Sequence, residues 1–229
     1  MKTFLFAVLR HTPWPLRSAD AGASDSASLD IVASSVAGAL LGIGIALIFL
    51  LGSLLLPARV ALFIALGLGL IVSFPRATVI RWHQPLKASS ALVMGMLTLL
   101  KVELVSEIDL EWIPVTLICS ITWARAATLS ARRDPVVGLP AASGSARLLS
   151  LAIGLSPIAY FGVWPQPVWG LWVAAILTLG FAFRLKPRTW AAPMSARYVV
   201  LETLFCLCVL ALMSAAALTD LPDEDTPGS

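Results

Sequence analysis

The sequence predicts an all-α, polytopic transmembrane bundle of about seven helices, with its N-terminus on the cytoplasmic side. Three observations lead there. Hydrophobic residues make up 59% of the 229-residue chain and charged residues only 13%, with a mean hydropathy of +0.90. A soluble domain carries roughly 25% charged residues, so lipid must solvate most of this apolar surface. The apolar residues fall in long unbroken runs closed by proline and arginine, and no alternating strand pattern or internal repeat occurs. Basic residues collect in every second connection, the bias that orients membrane helices.

The elements follow in chain order. Residues 1–31 read as a cytoplasmic or interfacial segment. A secretory signal would need a longer apolar stretch than the one at its start, together with a small-residue cleavage site, and Trp14 suits the headgroup level. The first span, 32–56, is long enough to cross the hydrocarbon and ends at Pro57 and Arg59. The second, 60–74, is closed by Pro75 and Arg76. The third, 88–105, is apolar until Lys101, which is expected to snorkel at its outer end. The fourth, 112–129, carries Arg125 about one turn from its inner edge. Spans at 148–164 and 168–183 form a hairpin through Pro165-Gln166-Pro167, and 198–218 closes the bundle. Residues 219–229 form an acidic tail expected to be disordered. At this length the bundle is one domain.

With the N-terminus inside, all but Arg59 and Lys101 of the 16 basic residues fall on the cytoplasmic side. Glu103, Glu107, Asp109 and Glu111 fall outside. Trp112, Trp164, Trp169 and Trp172 mark the outer boundary and Trp82, Trp123 and Trp190 the inner one, as an aromatic belt requires. Gly38 and Gly42 form a small-xxx-small pair, and Gly67 and Gly69 follow in the second span; such glycines let helix backbones approach closely in lipid. Cys119, Cys206 and Cys208 lie in apolar runs at spacings that fit no usual metal site, and read as small core residues.

Several segments, taken together, resemble the cobalamin (5′-phosphate) synthase family, the adenosylcobinamide-GDP ribazoletransferases. Phe4-Leu5-Phe6-Ala7 followed by Pro13-Trp14-Pro15 is similar to that family's opening. Val36-Ala37-Gly38-Ala39-Leu40-Leu41-Gly42 resembles its first-span glycine motif, and residues 91–101, ending Leu99-Leu100-Lys101, its third span. Arg125 sits where the family has an arginine, and Tyr198-Val199-Val200-Leu201-Glu202 resembles the start of its final span. The likeness covers most of the chain, and its weight lies in the order and spacing of the elements. It implies a transferase of cobalamin biosynthesis in the bacterial cytoplasmic membrane. That enzyme joins GDP-activated adenosylcobinamide to α-ribazole and releases GMP at a Mg²⁺ site held by carboxylates.

Those carboxylates are missing. Where the family has H-x-D-G-x-x-D and then D-S-R-I-G, this chain has Phe74-Pro75-Arg76-Ala77-Thr78-Val79-Ile80-Arg81-Trp82-His83-Gln84-Pro85-Leu86, too short for both and without an acid. Where the family has a Gly-Gly-x-x-Gly-Asp element, it reads Pro187-Arg188-Thr189-Trp190-Ala191-Ala192. A Mg²⁺ diphosphate site needs such oxygen ligands. The expectation is therefore a non-catalytic relative, with no catalytic or metal-binding residue identified and Mg²⁺ expected only if the family activity survives. Three roles are open to it: partner of an active synthase, binder of a corrinoid intermediate, or scaffold. The alternatives are an active ribazoletransferase with metal ligands from elsewhere and a small transporter-like subunit. Expected partners are the lipid bilayer and another copy of the chain, and no nucleic acid.

The candidate substrate-binding residues are Arg125, Arg184, Arg188 and Glu202. Arginine suits bidentate phosphate contacts, although the same positions satisfy orientation or anionic lipid. An ionisable residue within a span is a functional candidate by default. Glu202 lies about one turn into the last span, within reach of the helix dipole, and Arg125 is its expected partner. His83 has no acidic or cysteine neighbours and reads as an interfacial loop residue, and Asp134 as a local charge pair with Arg132 and Arg133.

Overall fold

The computed structural model describes residues 4, 8, 27–73, 88–131, 142–161, 169–184 and 194–219. These form seven helices: α1 (Ala27–Ser53), α2 (Ala58–Ser73), α3 (Ala88–Ser106), α4 (Ile113–Ser130), α5 (Gly144–Phe161), α6 (Trp169–Arg184) and α7 (Met194–Thr219). No strand occurs among the described residues. Stretches within α1, α4, α5 and α7 are long and apolar enough to cross a membrane. At 16 residues each, α2 and α6 reach about 24 Å, somewhat short of a hydrocarbon core of roughly 30 Å.

Three helices begin about one turn or more earlier than hydropathy indicates, because hydropathy marks the lipid-compatible stretch and not the helix end. α5 starts at Gly144, where the Ser143 hydroxyl accepts the Ala146 N–H at 3.2 Å, a side-chain cap on an otherwise orphaned donor. α1 extends back to Ala27 and places Asp30 in its first turn, where a carboxylate complements the dipole. α7 starts at Met194, so Glu202 lies two turns in, beyond the reach of the terminal dipole that the shorter span implied.

The helices alternate in direction. Arg59 Nη2 meets Glu107 Oε1 at 2.8 Å, which puts the start of α2 and the end of α3 on one face. Ser35 and Ser150 share a 2.6 Å hydrogen bond, and Ser28 and Ser143 pair at the starts of the same two helices, so α1 and α5 run parallel. Six helices form a ring in the order α1, α2, α3, α7, α6, α5, with α5 and α6 the most loosely joined neighbours, and α4 fills the centre.

The central helix is buried on nearly every side, so its polar groups must be satisfied without water. Three of them turn back on their own backbone: Thr122 donates to Ile118 O at 2.7 Å, Thr128 to Ala124 O at 2.6 Å and Ser120 to Leu117 O at 3.2 Å. Small residues let the ring close on it. A Cβ on Gly42 would lie 3.1 Å from Ile118 Cα, and one on Gly154 would strike Ala126 Cβ at 2.5 Å. Pro157, inside α5, removes the N–H that Ile153 O would accept, and the Ser156 hydroxyl donates to that carbonyl instead, at 2.8 Å.

The outward residues are apolar. Leu47, Leu51, Ile71, Leu148 and Ile176 are each more than half exposed, while Lys101, Arg125 and a set of serines and threonines are buried. That distribution inverts a soluble protein and fits hydrocarbon as the solvent. Trp169 and Trp172 are partly exposed, as belt residues should be. Trp123 is not one of them: it is buried in the core, and its indole N–H donates to Thr178 Oγ1 at 2.9 Å. Trp14, Trp82, Trp164 and Trp190 lie outside the described residues, as do 220–229 and all of 1–26 except Phe4 and Val8, which pack with Ala33 and Ala37.

Candidate functional site

The bundle holds an intramembrane charge cluster where α3, α4 and α7 meet. On α3, Met94, Thr98, Lys101 and Val105 recur at helical spacing and so share one face. Met94, Lys101 and Val105 are all buried. On α7, Tyr198, Glu202 and Cys206 likewise share a face. α3 and α7 run parallel, Met94 packing with Val199 and Thr203 Oγ1 donating to Leu97 O at 3.5 Å. That register brings Lys101 against Glu202.

Lys101 Nζ donates to Glu202 Oε2 at 2.7 Å, with side-chain exposures of 2% and 13%. One expectation is corrected by this contact. Lys101 does not snorkel outward. It lies about 8 Å, five residues, short of the end of α3, and its stem is directed at α7 because it sits on the stripe that α7 covers. Its ammonium is therefore a direct partner of Glu202, and Arg125 acts on the same carboxylate electrostatically.

Arg125 belongs to the same cluster. It is 4% exposed, and its Cζ lies 5.4 Å from the centroid of the Tyr198 ring, within cation–π range. Its aliphatic stem runs over Gly38, where a Cβ would come within 2.8 Å of Cδ. The glycine of α1 thus leaves the room in which this arginine lies. Lys101, Arg125, Glu202, Tyr198 and Thr98 line one cavity, closed on its apolar side by residues of α1 and α2. Its volume is about 30 Å³.

The other candidates lie elsewhere. Arg184 is exposed in the last turn of α6, a helix that contributes nothing to the cavity lining, and a cation there complements the C-terminal dipole. Arg188, His83 and Asp134 fall outside the described residues. Cys119 and Cys206 are buried and Cys208 half-buried, all as free thiols. Sequence reasoning missed Lys101 as a site residue, together with Thr98 and Tyr198. The stripe at 94, 98, 101 and 105 was the available signal for the lysine.

The donors do not fit Mg²⁺. That ion takes near-octahedral oxygen ligation, whereas the cluster supplies one carboxylate, already bonded to an ammonium, beside a guanidinium. Among the described residues no group of three or more histidine, cysteine or acidic side chains could hold a metal ion. What the cluster can do is bind water or a small polar species and hold charge inside the bilayer. Comparison with protein families, curated proteins and solved structures finds no match for the chain.

Proposed function

We propose that the chain is a multi-pass protein of the bacterial cytoplasmic membrane, built on the cobalamin-synthase frame and serving as a non-catalytic partner or scaffold for an active synthase. One observation carries this reading. Lys101, Arg125 and Glu202 each fall at a position that the resemblance picks out, and all three line one buried cavity. A frame shared with that family would bring these three positions together, and their meeting in one cavity supports the reading. The acidic elements that would make this frame a transferase are absent from the sequence, which supports the non-catalytic half of the reading. A cavity of about 30 Å³ is too small for a corrinoid or a nucleotide, since bound ligands of drug size need roughly 300–1,000 Å³. Corrinoid binding at this cluster is therefore disfavoured.

Turnover decides between partner and enzyme. Purified protein given GDP-activated adenosylcobinamide, α-ribazole and Mg²⁺ should release no GMP, and should co-purify with an active synthase when the two are expressed together. Release of GMP above a no-protein control would instead establish a ribazoletransferase. A second reading, a small transporter-like subunit, is favoured by the buried Lys101–Glu202 pair, because intramembrane charges commonly mark ion pathways. Ion or solute flux in proteoliposomes, abolished by Glu202→Gln, would support it.

A further inference from the structure

We infer that the cavity beside Lys101 and Glu202 is a buried water site, holding one or two molecules that complete the hydrogen bonding of the ion pair within the bilayer. The chemistry of the donors requires more partners than the pair supplies. A lysine ammonium has three N–H donors, and the bond to Glu202 Oε2 uses one. Lys101 is 2% exposed, so bulk solvent does not serve the others, and hydrocarbon offers no acceptor. The Thr98 hydroxyl donates to Met94 O at 2.8 Å, which leaves its oxygen lone pairs to accept. The opposite wall is polar as well, with Arg125 and Tyr198.

Size and polarity agree. A cavity needs about 10–15 Å³ and two to four polar partners to hold a water, and this one offers about 30 Å³, with Lys101, Glu202, Arg125, Tyr198 and Thr98 on its polar side and apolar side chains around the rest. Cavities that stay dry are lined by apolar groups alone. Hydration of the cavity is independent of whether the chain partners a synthase or carries an ion.

The lysines of the chain are Lys2, Lys87, Lys101 and Lys186, so a variant with Lys2→Arg, Lys87→Arg and Lys186→Arg carries one lysine. This protein, labelled with ¹³C,¹⁵N-lysine in nanodiscs of deuterated lipid, should show magnetisation transfer from water to the Lys101 side chain. In the unsubstituted protein Lys101 should resist reductive methylation under conditions that modify Lys2. Thr98→Ile, which fills the cavity and removes an acceptor, should abolish the transfer while Lys101 stays protected. Absence of transfer in the single-lysine protein would mean a dry cavity and overturn the inference. Methylation of Lys101 as fast as Lys2 would overturn it too, since the group would then face bulk water. Transfer that persists unchanged in a folded Thr98→Ile protein would place the water elsewhere; if that variant does not fold, the first two measurements decide.

Discussion

Lys101 and Arg59 both sit 2.8 Å or less from a carboxylate, yet their ion pairs differ in consequence because their surroundings differ. The Lys101–Glu202 pair is buried. Removing one member of such a pair strands a charge and costs about 3–5 kcal/mol, whereas replacing both with apolar residues of similar volume is often neutral or stabilising. Lys101→Met and Glu202→Leu should each lower stability by that order, and the double substitution should recover most of the loss. A double-mutant cycle by reversible unfolding in detergent measures this, and additive losses would contradict it. The Arg59–Glu107 pair is 64% and 58% exposed. There the side chains move freely and salt screens the attraction, so Arg59→Ala should cost no more than about 1 kcal/mol. The residue scale is also where the sequence was least legible. Glu202 and Arg125 stood out as charges within apolar runs. Lys101 did not, because five residues from a helix end it fits snorkelling as well as burial, and only the packing of α7 over its stripe separates the two.

At the scale of the element, the helices were legible except for their first turns, since long apolar runs leave the backbone no other way to satisfy its hydrogen bonds in lipid. Which glycines matter was not legible. Gly42 faces the backbone of Ile118, while Gly67 has nothing within 4 Å of where a Cβ would lie. Gly42→Ala should therefore push α1 off α4 and destabilise the bundle. Gly67→Ala meets no obstacle and should be neutral or stabilising by up to about 1 kcal/mol from helix propensity. Thermal unfolding of the two variants side by side checks the contrast, and equal losses would show that α1 and α4 do not approach this closely. Gly38→Ala adds a local readout. Its methyl group must displace the Arg125 stem, altering the stacking on Tyr198 and hence the tyrosine ultraviolet spectrum. Trp123 makes a similar point on α4. Thr178→Val removes the acceptor of its indole N–H and leaves a buried donor unsatisfied, which costs about 1–3 kcal/mol. The same change should shift the tryptophan emission.

For the whole molecule, orientation rests on the basic residues and alternation on the packing. Seven helices of alternating direction put the two ends of the described bundle on opposite faces. With the N-terminal face cytoplasmic, as the positive-inside bias requires, alkaline phosphatase fused after Ser229 should be active and a fluorescent protein at the same place dark. Fusion within 132–141, between α4 and α5, should give the reverse. An active phosphatase at both sites would refute the seven-span alternation.

Composition and the lengths of apolar runs, by themselves, determined that this chain is a helical membrane bundle and where the seven helices of the described residues lie, though not their first turns. They do so because the bilayer core admits no unpaired backbone groups and sets a fixed thickness to cross. The tertiary structure alone decided which charges meet. A run of leucines, glycines and alanines does not encode which of its faces is covered, so the pairing of Lys101 with Glu202, the seat of Arg125 over Gly38 and the polar cavity between them arise from the register in which α3, α4 and α7 pack.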